Sequence, residues 1–163
     1  MSKSRLAPIK QMSIPRLELA AAVMAVQMEK LLRSEIKIPL QESVFHTDSQ
    51  IVLQYIKNTT LRLQTFVANR VAMIHDGSSP HQWMHIESEE NPADIASRGL
   101  SAKKLVQCEE WKNGPSFLWE PELQLSLPEV PELSSDDKEV KKTVKSLATD
   151  SSEDPVGRLM EKY

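Results

Sequence analysis

The chain has 163 residues, 40% of them apolar, which is enough to fill the core of one ordinary domain. Its single cysteine, Cys108, excludes an internal disulfide and a zinc site built on paired thiolates, so a reducing compartment, the cytoplasm or nucleus, is expected. A net charge of -3 gives no overall attraction to polyphosphate, and no apolar stretch approaches the ~20 residues of a membrane span. We therefore expect a soluble chain that makes no membrane contact and binds nucleic acid only through a local basic surface or a bound metal.

A long first helix is predicted over residues 14–36. Its apolar residues recur at spacings of three and four, which places them on one stripe of a helix. The predicted stripe consists of Leu17, Ala21, Met24, Met28 and Leu31.

A short strand over residues 43–47 is predicted next, and Ser49 is suited to cap a second helix. Asp48 lies at the junction between the two. The apolar face predicted for the second helix consists of Ile51, Val52, Tyr55 and Ile56.

A third helix is predicted to end near His75, where the breaker DGSSP follows. Its repeating apolar residues are Phe66, Val67, Val71 and Ile74. The following QWMHIES alternates with period two and predicts a second strand. Asn91 and Pro92 then indicate a turn into a short helix that carries Asp94 and stops at Gly99, and SAKKLVQCEEW predicts one more short helix.

Two strands separated by helical crossovers imply parallel pairing within an α/β fold. Two parallel strands are too few for an independent α/β core, because such strands normally have neighbours on both edges. The sheet then either takes strands from elsewhere or belongs to a larger domain. The alternative fold is a small helical protein with incidental strands.

Three acidic residues stand out by position: Glu18 near the start of the long helix, Asp48 at the end of the first strand, and Asp94 at the start of a later helix. Taken singly, each is explained by a helix dipole or a turn. Asp48 is predicted to lie where open α/β sheets bind ligands, at the carboxyl end of a strand, and Glu18 lies beside the apolar stripe of the long helix, so a cluster of carboxylates is geometrically possible. Carboxylates that meet at one point repel unless they hold a hard cation such as Mg²⁺.

Five segments together resemble the RNase H region of BEL/Pao-type retrotransposon Pol polyproteins, over roughly residues 1 to 122. They read IPRLELAAAVMAV, HTDSQIVLQYIKN, FVANRVAMIH, WMHIESEENPADIASRGL and WKNGPSFLWEPE. The resemblance implies an RNase H-like fold, a five-stranded mixed sheet flanked by helices, that hydrolyses the RNA strand of an RNA–DNA hybrid with two Mg²⁺ ions. It also implies that Glu18, Asp48 and Asp94 match three of the family's catalytic, metal-binding carboxylates.

The resemblance further implies a first catalytic aspartate on a strand that would precede residue 1. The segment SKSRLAP resembles the tail of the third strand, so a partial RNase H-like fold without its first two strands is expected. An N-terminally truncated domain of this kind should bind Mg²⁺ weakly at most and show little or no nuclease activity. Its partners would be an RNA–DNA hybrid or other nucleic acid and the remainder of a Pol polyprotein. The alternative function is a non-enzymatic remnant that binds nucleic acid or a protein.

Three further residue sets are weaker candidates. His75, His81 and His85 could form a metal set but are predicted to be scattered histidines, with His85 half-exposed on its strand. The cations that could touch phosphates but are predicted to be solvated are Lys57, Arg62 and Arg70. The tryptophans predicted to pack rather than stack on bases are Trp83, Trp111 and Trp119.

The domain boundary is predicted near residue 120, which assigns residues 1–120 to the truncated RNase H-like domain. Residues 121–163 are charged, punctuated by prolines and free of a lasting apolar period, and they predict a disordered linker or tail. Within it, Ser151 and Ser152 precede acidic residues and are candidate phosphorylation sites, with a solvated linker as the simpler interpretation.

Overall fold

The computed structural model describes residues 9, 11–119 and 130–142. Across these residues the elements follow the predicted order of helix, strand, two helices, strand and short helices, except that the single helix predicted over SAKKLVQCEEW is divided into two at Cys108. The elements are α1 (Ile14–Glu35), β1 (Phe45–Thr47), α2 (Gln50–Lys57), α3 (Thr65–His75), β2 (Trp83–His85), α4 (Pro92–Arg98), α5 (Ala102–Gln107) and α6 (Glu109–Asn113). Short 3-10 turns cover Pro80–Gln82, Ser88–Glu90 and Ser116–Trp119. No helix among the described residues is long and apolar enough to cross a membrane.

The two strands pair in parallel, as predicted, with Phe45 opposite Trp83 and Thr47 opposite His85. The Ile86 N–H donates to the Thr47 carbonyl at 3.1 Å and extends the pairing by one residue. Mixed helices around a two-stranded parallel sheet are consistent with the predicted α/β class. The finer assignment to a partial RNase H-like fold stays a prediction.

The aromatic pair on these strands lies at the centre of the core. The rings of Phe45 and Trp83 stack with centroids 4.7 Å apart and planes 13° from parallel. The Trp83 indole N–H donates to Ser78 Oγ at 2.9 Å, and that hydroxyl donates to the Ile74 carbonyl at 2.8 Å. The polar edge of a buried tryptophan therefore has a partner, as burial requires. The prediction that Trp83 packs is confirmed.

The bounds predicted for α1 are confirmed, but the predicted buried stripe is wrong. The side chains that α1 buries are Leu19, Ala22, Val23 and Val26. Ala21 and Leu31 from the predicted stripe are exposed instead. The segment LELAAAVMAV is apolar almost all the way round the helix, so its spacing fits more than one stripe, and packing against α3 selects among them.

The turn after α3 fits closely against α1 at Gly77. A Cβ at that position would overlap Val26 Cγ1 and lie 2.6 Å from Lys30 Cε. The Lys30 ammonium also donates to the Asp76 carbonyl at 3.4 Å. Glycine is needed here because of the close approach of α1, and its φ is not positive.

Residues 130–142, here called the C-terminal strap, pack against the connector between α2 and α3. Leu63 and Val140 form an antiparallel bridge. The Gln64 N–H donates to the Glu139 carbonyl and the Lys141 N–H donates to the Arg62 carbonyl, each at 2.7 Å. Val140 is buried against the core that α1, α2 and α3 share. The strap therefore continues the domain across a gap in the described chain.

Polar side chains also hold the strap to the helices. Arg16 donates from Nε and Nη2 to the two carboxylate oxygens of Glu139 at 2.7 and 2.9 Å. The Tyr55 hydroxyl donates to Asp137 Oδ1 at 3.2 Å. Burial raises the pKa of Tyr55, and the nearby Asp137 charge raises it further, so the hydroxyl stays protonated and remains a donor.

The strap lies inside the segment predicted to be a disordered tail, and that prediction does not hold for residues 130–142. The strap has no amphipathic period of its own and is held by partners distant in sequence, which a local pattern cannot detect. The remainder of the predicted tail, including Ser151 and Ser152, lies outside the described residues. The boundary near residue 120 stays a prediction.

Replacing Gly77 with alanine should destabilise the domain by roughly 1–3 kcal/mol, because the added methyl displaces Val26 in the α1–α3 contact. Chemical denaturation of purified protein measures the free energy of unfolding. The matched control is Asp76→Ala, an exposed neighbour, which should change it by less than about 0.5 kcal/mol. Equal effects of the two changes would contradict the close contact.

Replacing Glu139 with glutamine should destabilise the domain by about 1–2 kcal/mol, because two charge-assisted hydrogen bonds to Arg16 are weakened. A double-mutant cycle with Arg16→Gln should give a coupling of about 1 kcal/mol. Glu132→Gln, an exposed change on the same strap, serves as the control. Additive effects of the Arg16 and Glu139 substitutions would show that the ion pair does not hold the strap.

Candidate functional site

Ser49 joins the helix that carries Glu18 to the end of β1. The hydroxyl of Ser49 donates to Glu18 Oε2. Ser49 Oγ also accepts a hydrogen bond from the Val52 N–H at 3.4 Å, which confirms Ser49 as the N-cap of α2. Ser49 is only 7% exposed, so this link is shielded from water. Glu18 is thereby held beside the residue that follows Asp48.

Asp48 comes directly after β1, at the carboxyl end of the strand pair. Its Oδ2 accepts a hydrogen bond from Ser88 Oγ at 3.0 Å. Ser88 begins the 3-10 turn that follows β2. Because β1 and β2 are parallel, both strands end at one edge of the sheet, and Ser88 joins the two ends. Glu18, through Ser49, and Asp48 are therefore both linked to this edge.

Asp94 lies in the first turn of α4, which Asn91 caps by accepting the Ala93 N–H at 3.0 Å. Its carboxylate pairs with Arg98 one turn later, with Arg98 Nε 3.0 Å from Oδ1 and 2.9 Å from Oδ2. The ion pair is largely exposed at Arg98, so its net contribution to stability is small. The ion-pair partner of Asp94 thus belongs to its own helix and not to the strand edge.

The three predicted ligands do not form a metal-binding group in this arrangement. Among residues 9, 11–119 and 130–142, no group of three or more His, Cys, Asp or Glu side chains could hold a metal ion. Each of the three carboxylates already accepts a hydrogen bond where a cation would bind. The donors to Glu18, Asp48 and Asp94 are Ser49, Ser88 and Arg98, respectively. The structure brings Glu18 and Asp48 to one edge and pairs Asp94 elsewhere. The predicted Mg²⁺ site of Glu18, Asp48 and Asp94 stays a prediction.

The histidines have separate partners, which favours the interpretation as scattered residues over a metal set. His75 Nε2 lies 2.8 Å from the Ile56 carbonyl oxygen. His81 Nε2 lies 3.0 Å from Glu42 Oε1 on the exposed surface. His85 is half-buried on β2, as predicted, with its Nδ1 3.8 Å from Glu87 Oε1.

Two of the three tryptophans do not pack as predicted. Trp111 is 40% exposed and Trp119 is 71% exposed, in contrast to the buried Trp83. The Trp119 indole N–H donates to the Asn113 carbonyl at 3.0 Å, which orients the ring without covering it. Both tryptophans are exposed because they lie on short elements near residue 119, outside the core formed by α1, α2 and α3.

A stack of two arginines on Phe66 is a feature that the sequence interpretation missed. The guanidinium carbon of Arg70 lies 3.3 Å and that of Arg16 4.9 Å from the Phe66 ring centroid. Burial lowers the pKa of Arg70, and the charge of Arg16 lowers it further. Arg70 is half-buried rather than solvated as predicted. The spacing of Phe66 and Arg70 on α3 is a detectable signal, whereas Arg16 and Glu139 are too distant in sequence to be paired.

Replacing Ser49 with alanine should lower the free energy of unfolding by about 1–2 kcal/mol, because the change removes the cap of α2 and leaves Glu18 without its hydroxyl donor. The free energy of unfolding measures this, and Ser49→Thr, which keeps a hydroxyl, should recover most of the loss. Ser88→Ala removes a single exposed contact to Asp48 and should cost less than about 0.5 kcal/mol. Similar losses of unfolding free energy in Ser49→Ala and Ser88→Ala would show that Ser49 does not join the helix of Glu18 to the end of β1.

Comparison with known proteins bears on the first part of the chain. No curated protein and no solved structure gives a significant match. Residues 1–49 match the family model described as the Pao retrotransposon-like RNaseH-like domain. The matched range includes α1 and β1, with Glu18 and Asp48. This similarity confirms the resemblance found in the sequence and supports a Pao-type retrotransposon RNase H-like region in the chain.

Proposed function

We propose that this chain is a retroelement-derived RNase H-like region that acts on RNA–DNA hybrids. The observation that carries the proposal is the placement of Glu18 and Asp48 at one edge of a parallel strand pair, inside the range that matches the family model. This edge is where α/β sheets bind ligands. The activity that the resemblance implies is Mg²⁺-dependent hydrolysis of the RNA strand, with Glu18, Asp48 and Asp94 as the proposed metal ligands.

We further propose that the chain alone is inactive or impaired in hydrolysis. Asp94 pairs with Arg98, and Glu18 and Asp48 are engaged by serine hydroxyls. A carboxylate that already has a cationic partner must lose it before it can bind Mg²⁺. In addition, the described residues form a two-stranded sheet, fewer strands than stable sheets usually have. The remainder of a Pol polyprotein is the partner that we propose for completing the sheet and the site.

A non-enzymatic binding remnant is the second candidate. The Asp94–Arg98 pair favours it, because this pair gives the Asp94 carboxylate a cationic partner without a metal ion. The two candidates differ in one property: an enzyme region should hydrolyse the hybrid when it is combined with the remainder of a Pol polyprotein, and a binding remnant should not.

The experiment is a cleavage assay of the purified full chain on a labelled RNA–DNA hybrid with millimolar Mg²⁺, and with EDTA as the metal-free reference. We expect binding of the hybrid and little or no cleavage, with Asp48→Asn indistinguishable from the unchanged chain. Glu87→Gln, an exposed acid in the loop after β2, is the matched control for loss of one carboxylate.

One outcome would contradict the proposed impairment, and another would contradict the proposed action on hybrids. Efficient Mg²⁺-dependent cleavage that Asp48→Asn abolishes and Glu87→Gln preserves would overturn the proposed impairment while supporting the role of Asp48. Absence of hybrid binding would overturn the proposed action on hybrids.

A further inference from the structure

A second polar surface lies away from the three carboxylates, between the α2–α3 connector and the C-terminal strap. The two segments border a cleft of about 730 Å³. Its cationic side chains are Arg62 on the connector and Lys141 and Lys142 on the strap. Leu61 and Val140 contribute apolar lining, and Asp136 is the acid in the lining.

The charge of this cleft is opposite to that of the chain. Three cations and one acid line it, whereas the whole chain carries a net charge of -3. Arg62, Lys141 and Lys142 are exposed. Across the described residues, none of these three forms an ion pair within 4.0 Å, in contrast to Arg16, Arg33 and Arg98. The cleft is therefore a local positive surface whose charges remain available to an anion.

The backbone holds these cations in fixed relation to one another. The Lys141 N–H donates to the Arg62 carbonyl at 2.7 Å, so the two residues lie side by side across the bridge. Leu63 and Val140 form that bridge, and the neighbouring Glu139 is anchored by Arg16. Cations held by an ordered backbone lose less conformational entropy on binding than lysines on an unconstrained surface.

We propose that this cleft binds the sugar-phosphate backbone of an RNA–DNA hybrid without reading its sequence. Arginine suits phosphate oxygens through paired N–H groups, and lysine does so as a point charge. No aromatic side chain lines the cleft among the described residues, which favours contact with phosphates over stacking on bases. The identity of the hybrid rests on the proposed function, while the positive cleft itself does not.

The distance along α2 fits one nucleic acid that reaches both surfaces. Asp48 precedes α2 and the connector follows it. A helix of 8 residues is about 12 Å long, which equals the rise of about three to four base pairs. The separation along α2 is therefore within the length of a short duplex.

The test is fluorescence anisotropy of the full chain with a labelled hybrid in EDTA, over a series of salt concentrations. Neutralising the cleft with R62Q/K141Q/K142Q should weaken binding more than about tenfold at low salt and lower the slope of log K against log salt by about 3. The matched control, K37Q/K103Q/K104Q, removes three exposed cations elsewhere and should change the slope by less than about 1. The thermal midpoint should not change, because the bonds between the strap and connector use backbone atoms at Arg62 and Lys141.

Equal losses of hybrid affinity in the two triple variants would overturn the proposal that the cleft binds the hybrid, since binding would then follow net charge alone. Displacement of the hybrid by polyglutamate as effectively as by unlabelled hybrid would also overturn it, in favour of an acidic protein partner. The two proposals fail in different ways. If DNA duplex binds through the cleft as tightly as hybrid, the hybrid assignment fails and the cleft stands. If neutralising the cleft leaves the affinity for hybrid and the salt slope unchanged, the cleft fails and the hybrid assignment stands.

Discussion

The packing of α1 against α3 is the contact on which the remaining structure depends. It buries Leu19, Val23 and Val26 and so determines the rotation of α1 about its axis. Successive residues of a helix are about 100° apart, so Arg16 and Glu18 fall on opposite flanks of this buried stripe. Glu18 then reaches Ser49 at the strand edge, and Arg16 reaches Phe66 and the C-terminal strap. A different rotation of α1 would lose both contacts at once.

This arrangement places an acidic surface at the strand edge and a basic surface at the connector and C-terminal strap. At the strand edge, Glu18 and Asp48 each accept a hydrogen bond from a serine hydroxyl. At the connector and strap, cations are placed by backbone bonds and left without carboxylate partners among the described residues. The match of residues 1–49 to the Pao retrotransposon-like RNaseH-like domain includes Glu18 and Asp48 and none of the three cations of the cleft.

Local patterns predicted most of the secondary structure because they depend on neighbours in the chain. Spacing, capping chemistry and crossover length predict the bounds of α1, the end of α3, the cap at Ser49, the stop at Gly99 and the parallel pairing of the two strands. The same reasoning placed Asp48 at the carboxyl end of β1. It was wrong about the buried stripe of α1 and the exposure of Trp111 and Trp119, because burial depends on which surfaces meet and not on periodicity alone.

The amino-acid sequence by itself determined the helices, the two strands and their direction, and the three acidic residues at element ends, because hydrogen bonding and capping act over a few residues. Tertiary structure alone decided which face of α1 is buried, that Glu18 bonds Ser49 while Asp94 pairs with Arg98, and that residues 130–142 pack on the connector. The physical reason is sequence distance. Arg16 and Glu139 are 123 positions apart, and only a folded core brings a guanidinium and a carboxylate with that separation to 2.7 Å.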